Sequence, residues 1–202
     1  GFEVLACGPE DEFRPLIEEN GVGFRHVQTS LHGVNPFVEL QVISALWRLY
    51  RREKPAAVHH FALKPAIYGS IAARLAGVPV IVNTVTGLGF AFQVGGMLER
   101  TVKTLWRVGC NGRTWTIFQN PDNLMLFQKL GLVNAKRTSL IRGSGVNCRR
   151  FAPRPEPAVG AERAQVRFLM FSRILRDKGV LEFLEAARAV RERMAATPGN
   201  VK

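Results

Sequence analysis

Cysteine is scarce in this sequence: Cys7, Cys110 and Cys148 are the only three in 202 residues. They stand far apart, odd in number and without a Cys-x-x-Cys pair. This excludes a disulfide framework and a zinc site of the usual spacing, and the three read as ordinary thiols of a reducing compartment. Histidine is as sparse, with four residues and no ligand spacing among them, so no metal is expected. Long apolar runs are missing as well. The most apolar stretch, residues 66–92, carries Arg74 and is broken by Gly77-Val78-Pro79 and by the turn at Gly87 and Gly89, which excludes a transmembrane helix. The opening GFEVLAC reads as a strand and not as a signal peptide, so a cytosolic location is the expectation. No internal repeat and no low-complexity tract is found.

Acidic side chains are what the second half lacks. Residues 1–100 hold nine basic and nine acidic side chains, whereas 101–202 hold nineteen and seven. Within 101–154 there are ten basic residues and a single acid, Asp122. The whole excess of +12 therefore lies after residue 100. A solvated Arg-rich surface, an anionic membrane, a phosphorylated substrate and nucleic acid all fit such a balance, and charge does not choose among them.

What is present is alternation. Short apolar runs are expected as strands at Phe2–Cys7, Phe24–Gln28, Ala56–Phe61, Val80–Val85, Thr114–Gln119 and Thr138–Ile141. Helices are expected between them: Asp11–Asn20; one opened by Asn35-Pro36 and running to about Glu53; Pro65–Ala76; Met97–Val108; and one opened by Asn120-Pro121-Asp122 and stopped at Gly131. Apolar strands alternating with helices predict an α/β domain, residues 1–151, built on one parallel sheet buried on both faces. Prolines at 153, 155 and 157 mark residues 152–165 as an extended linker. Beyond it, Val166–Phe171 reads as a buried strand and Asp177–Met194 as an amphipathic helix, the start of a second domain over 166–202.

In an open parallel sheet, ligands gather at the carboxyl ends of the strands, next to helix N-termini. The residues that follow the strands are small and polar: Gly8-Pro9, His59-His60, Thr86-Gly87-Leu88-Gly89, Asn120, Gly143-Ser144-Gly145 and Ser172-Arg173. Neither glycine cluster is a complete nucleotide fingerprint: TGLGF lacks a third glycine, and no Lys-Ser/Thr follows GSG. His59 and His60 point to opposite faces of their strand, so at most one enters a site. His60 is taken as that one. The most informative segment is SRILRDKGV, residues 172–180, which follows a strand and opens a helix with Asp177 as its N-cap. Arg173 and Lys178 then flank a helix N-terminus, where fixed positive charge suits a diphosphate.

Four ordered segments carry a resemblance: HHFALKPAIYGSIAARLAGVPVIVNTVTGLGFAF (59–92), FQNPDNLMLFQKLGL (118–132), GSGVNCRRF (143–151) and SRILRDKGVLEFLEAAR (172–188). Together they resemble bacterial glycosyltransferases of family 4, nearest to those that elongate polyprenyl-diphosphate-linked glycans for surface polysaccharide or protein glycosylation. The resemblance implies a GT-B architecture of two Rossmann-like domains and retaining, metal-free transfer from a nucleotide-sugar, usually a uridine diphosphate sugar. It implies that Arg173 and Lys178 hold the donor diphosphate and act in catalysis. It places Thr86, Gly87, Leu88 and Gly89 on the acceptor side of the cleft, and the strand-end reading adds His60, Gly143, Ser144 and Gly145 to that side. Where the family often has a histidine this chain has Thr86, and Asn147 stands in place of a common Asp.

By the same likeness the chain is expected to begin at the family's second strand and to stop short of its Glu-x7-Glu segment, as a fragment inactive by itself. The implied partners are the donor, a lipid-linked acceptor and an anionic membrane. The implied place is the inner face of the cytoplasmic membrane, reached through Arg48, Arg51 and Arg52 beside Trp47 and Tyr50, and through Lys103, Trp106 and Arg107. Two other readings stay open: a polyanion- or nucleic-acid-binding module using the basic half, which lacks a recognisable motif, and a sugar-nucleotide epimerase of the same fold.

Overall fold

The computed structural model describes residues 1–28, 35–110, 112–153 and 168–196. The chain divides into two units, Gly1–Asn147 and Cys148–Lys202. Most of the expected 152–165 linker lies outside the described residues.

The first unit runs β1 (Leu5–Gly8), α1 (Arg14–Glu19), β2 (Gly23–His26), α2 (Pro36–Glu53), β3 (Ala57–Phe61), α3 (Leu63–Ala76), β4 (Val80–Val85), α4 (Gly89–Val94), α5 (Gly96–Cys110), β5 (Trp115–Phe118), α6 (Pro121–Lys129) and β6 (Thr138–Leu140). Every ladder is parallel, as the alternation requires. The helix openings are the expected ones: Asn35 accepts from the Phe37 N–H, and Asn120 accepts from the N–H groups of Asp122 and Asn123. Each cap satisfies donors that the first helical turn leaves over, with proline following at a position that needs none.

The expected single sheet is instead two. β1 pairs with β2, while β3, β4, β5 and β6 pair in that order. Sequence alternation fixes that strands are parallel and adjacent in turn, but not which edges meet. The burial of both faces also fails for β3: Val58 and His60 are buried while Ala57, His59 and Phe61 are exposed. Among the described residues the helices gather on one face, where α3 packs against β3 and β4 and is flanked by α2 and α5.

Two apolar clusters fill that face. One joins Val42, Leu46 and Tyr50 of α2 to Val58, Ala72, Ala73 and Ile81. The other joins Ala66, Ile67, Val85, Trp106, Cys110, Phe118, Phe127 and Leu132. In the second, Phe127 meets Trp106 and Phe118 edge-on at 5.0 and 5.3 Å, a favoured aromatic geometry. Glycine lets α5 approach α3 closely: a Cβ on Gly109 would lie 2.8 Å from the Ile67 carbonyl oxygen. The short α4 escapes sequence reading because it has only six residues, too few to display a helical period.

In the second unit, a 3₁₀ turn (Arg176–Lys178) precedes α7 (Val180–Ala196). Two expectations are corrected here. Residues 168–171 form no strand, and Phe168, Leu169 and Phe171 are exposed, Phe171 at 98%. An apolar run becomes a strand only when another strand pairs with it, and none does so among the described residues; Val166 lies outside them. Asp177 sits within the 3₁₀ turn and is not the helix N-cap, because Gly179, at φ 75°, turns the chain before α7 starts.

Candidate functional site

The carboxyl ends of the large sheet are held level by backbone bonds that continue each ladder one step. Ala62 N–H donates to the Thr84 carbonyl at 3.0 Å, Gln119 N–H to Val85 at 3.4 Å, and Ile141 N–H to Phe118 at 2.9 Å. Thr86, Gln119 and Ile141 are therefore neighbours, and the Thr86–Gly89 and Gly143–Gly145 loops lie at one edge. Gln119 closes the group: its side-chain amide donates to Ser144 Oγ at 2.9 Å. Sequence reading passed over Gln119, although its place directly after a strand marks it.

Thr86 and Gly89 are exposed, Gly87 is half-buried, and Leu88 packs on the second apolar cluster. Gly89, Gly143 and Gly145 have φ values of 67°, 75° and 81°, so backbone conformation explains those glycines. It does not explain Gly87, which keeps an ordinary φ, and whose missing Cβ would meet no atom within 4 Å. Gly87 lies two residues past the end of β4.

A second polar group braces the same edge. Glu39, in the first turn of α2, is buried and accepts from Lys64 Nζ at 2.7 Å. It also bonds Tyr68, whose hydroxyl is pushed up to about 12 by burial and by that carboxylate. The pair ties the first turn of α2 to that of α3, where sequence spacing gives no sign of a contact.

His60 is placed otherwise than expected. Its side chain is buried beneath α2 and α3, in a polar network and not in a cleft. Nδ1 lies 2.8 Å from Asn83 Oδ1, which can only accept, so Nδ1 carries the proton and Nε2 accepts from Tyr50 OH at 3.0 Å. Asn83 Nδ2 continues to Ser70 Oγ at 3.0 Å and to Cys110 Sγ at 3.5 Å. Burial lowers the His60 pKa and pushes the Cys110 thiol up to about 12, so both stay neutral. It is His59 that lies on the open face of the sheet, bonded to Thr84 Oγ1 at 2.7 Å.

Tyr50 and Trp106 are likewise core residues, each buried in one of the two clusters, and so are not interfacial anchors. Lys103 bridges Glu99 at 2.6 Å, and Arg107 bonds the Leu130 carbonyl. In the second unit Arg173 and Lys178 are exposed, Lys178 ending the 3₁₀ turn ahead of α7. The edge of the first unit thus offers hydroxyls, an amide and open glycine backbone, a set suited to binding a hydroxyl-rich ligand. Among its described residues no group of three His, Cys, Asp or Glu is placed to hold a metal ion.

The family profile described as glycosyl transferase 4-like matches residues 4–120, a span that includes Thr86–Gly89 and Gln119. A relative from Escherichia coli, UDP-Gal:alpha-D-GlcNAc-diphosphoundecaprenol alpha-1,3-galactosyltransferase, is 31% identical over 95% of this chain and 51% of its own length. A second, N,N'-diacetylbacillosaminyl-diphospho-undecaprenol alpha-1,3-N-acetylgalactosaminyltransferase of Campylobacter jejuni, is 25% identical over 95% of this chain and 54% of its own. The chain thus spans about half the length of these relatives. Among solved structures, MurG of Acinetobacter baumannii aligns with a TM-score of 0.42 at 17% identity, over 71% of this chain and 36% of that one. With more than half of its residues matched by the profile, the chain belongs to the glycosyl transferase 4-like family.

Proposed function

We propose that the protein is part of a retaining glycosyltransferase that moves a sugar from a nucleotide donor, a UDP-sugar, to a glycan carried on polyprenyl diphosphate. The observation that carries this reading is the 31% identity, across 95% of the chain, to a transferase whose named acceptor is a diphosphoundecaprenol-linked sugar. The first unit supplies the acceptor side, with Thr86, Gly87 and Ser144 presenting hydroxyls and open backbone to the acceptor sugar. Gln119 orients Ser144 there. The second unit supplies donor contacts through Arg173 and Lys178.

In the transfer, the bond from the anomeric carbon to the donor phosphate oxygen breaks as the acceptor hydroxyl oxygen bonds that carbon, and the hydroxyl proton passes to the departing phosphate oxygen. Negative charge then grows on the departing diphosphate, and the two cations meet it, an electrostatic role worth more in the transition state than in the ground state. No metal is required by this reading, and the work is done at the inner face of the cytoplasmic membrane, where the acceptor is anchored.

The test is incubation of the full-length protein, with both domains present, with labelled UDP-hexoses and an undecaprenyl-diphosphate-linked acceptor. Label is expected in the lipid fraction, with the donor's anomeric configuration kept in the product. Donor turnover without transfer to the acceptor, or an inverted product, refutes the reading.

A further inference from the structure

Among its described residues the first unit buries a single acid, Glu39. Taking a carboxylate out of water costs free energy, and an apolar pair of similar size often serves stability as well as a buried ion pair does. Packing alone therefore does not account for it. Glu39 accepts from Lys64 Nζ at 2.7 Å and from the Tyr68 hydroxyl.

The place of the pair is fixed by the sheet. α3 starts two residues after β3 ends, and Lys64 is its second residue. Between them Ala62 is held at φ 72° and ψ 166°, a conformation that glycine alone adopts without strain. Its N–H donates to the Thr84 carbonyl at 3.0 Å. Phe61 and Thr84 are paired in register on β3 and β4, so Lys64 and the Thr86–Gly89 loop follow adjacent strand ends at the carboxyl edge. The pair is also oriented. The side chain of Glu39 is 10% exposed and that of Lys64 33%, so the carboxylate is the inner member and the ammonium the outer one. The Lys103–Glu99 pair is built the other way, with lysine at 20% and glutamate at 27%.

The proposed transfer involves two diphosphates. Arg173 and Lys178 of the second unit are given to the donor's. The acceptor carries its own, between its sugar and its prenyl chain, and that group calls for a cation beside the loops that receive the sugar. We propose that Lys64, held in place by Glu39, binds the acceptor diphosphate. The proposal rests on the polyprenyl-diphosphate acceptor of the preceding reading. An ammonium is a compact charge with three donors, of which the bond to Glu39 uses one, and phosphate oxygens suit it. A buried carboxylate behind it fixes the ammonium before the ligand arrives, which lowers the ordering cost of binding.

The test is calorimetric titration of the full-length protein with geranyl diphosphate, with geraniol and UDP as controls. The wild type is compared with Lys64→Met and with Glu39→Gln/Lys64→Met. The paired variant keeps the net charge and leaves no buried charge without a partner, so it is expected to stay folded, as a thermal melt will show. The wild type is expected to bind geranyl diphosphate and not geraniol. Loss of a hydrogen bond to a charged group should weaken geranyl diphosphate about tenfold to a hundredfold in both variants. UDP, assigned to the second unit, should bind them as it binds the wild type. In the transfer assay the acceptor KM should rise about as much, with the donor KM unchanged.

No binding of geranyl diphosphate, equal binding of geraniol, wild-type affinity in the paired variant, or equal weakening of UDP each overturns the proposal. Loss of folding in both variants overturns it too, since the pair is then a structural tie. Binding that depends on Lys64 without any sugar transfer overturns only the transferase reading. Transfer with an unaltered acceptor KM in the paired variant overturns the assignment of Lys64 alone.

Discussion

Replacing Gly69 with alanine should destabilise the first unit, although the same exchange within an ordinary helix gains about 1 kcal/mol. The reason is His60. A Cβ at position 69 would lie 2.4 Å from both Cδ2 and Nε2 of the imidazole, against roughly 3.5 Å or more for unstrained contact. The ring must retreat by about 1 Å, and it is held at both nitrogens, by Asn83 at 2.8 Å and by Tyr50 at 3.0 Å. Giving up either bond leaves a buried polar group unpaired, at about 1–3 kcal/mol, and overpacking of this kind costs about 1–3 kcal/mol in its own right. After subtracting the helix gain, the net loss should be about 1–5 kcal/mol, a fall of roughly 2–20 °C in Tm for a chain of this size.

A double-mutant cycle isolates the contact. In a His60→Ala background nothing is left for the new methyl to strike, so Gly69→Ala should be neutral or stabilising by up to about 1 kcal/mol there. The coupling between the two positions is then about 1–6 kcal/mol, read from urea denaturation of the four proteins. Equal effects of Gly69→Ala in the two backgrounds, or a gain in stability in the native one, would refute the argument that this glycine exists to admit the histidine.

The same histidine predicts acid sensitivity. Burial lowers its pKa in the folded state, so below the unfolded value of about 6.5 the unfolded chain binds the extra proton more readily. Stability is therefore full above about pH 6.5 and falls as the pH drops through the lower folded value; denaturation series between pH 8 and 5 should show this slope, reduced in His60→Gln. On the proposed reading, Arg173→Ala and Lys178→Ala in the full-length protein should each lower turnover by about tenfold to a thousandfold, with donor affinity falling less; wild-type kinetics in both would remove them from the site. Gly87→Ala should leave the melt within about 0.5 kcal/mol of wild type, because the added methyl meets nothing, yet reduce transfer as it fills the space over the strand edge. An unchanged rate would reduce Gly87 to a plain loop residue.

Much of this architecture could be read before any coordinates. The helix openings at Asn35-Pro36 and Asn120-Pro121, and the strand Val80–Val85, fall where capping chemistry and β-branched residues put them. What alternation does not encode is pairing. Residues 5–8 and 57–61 read alike as strands, yet they belong to separate sheets, because pairing depends on which edges the folded chain brings together. The run at 168–171 shows the same limit: its apolar composition is that of a strand, but composition supplies no partner.

The site divides along the same line. Period-two geometry establishes that His59 and His60 face opposite ways, and it cannot say which face the helices cover. That is settled by contacts distant in sequence, with Tyr50 ten residues before His60, Asn83 twenty-three after it, and Gly69 leaving room for the ring. The loops at Thr86–Gly89 and Gly143–Gly145 were legible because a parallel sheet sends every strand end to one edge, whatever the side chains do. Gln119 and the Glu39–Lys64 pair were not, since each acts across 25 residues of sequence. Topology therefore locates the edge from sequence alone, while the residues that brace it are specified by tertiary contacts. Gly87 is where the two kinds of information meet: the strand order puts it at the edge, and its ordinary φ sets it apart from the turn glycines at 89, 143 and 145.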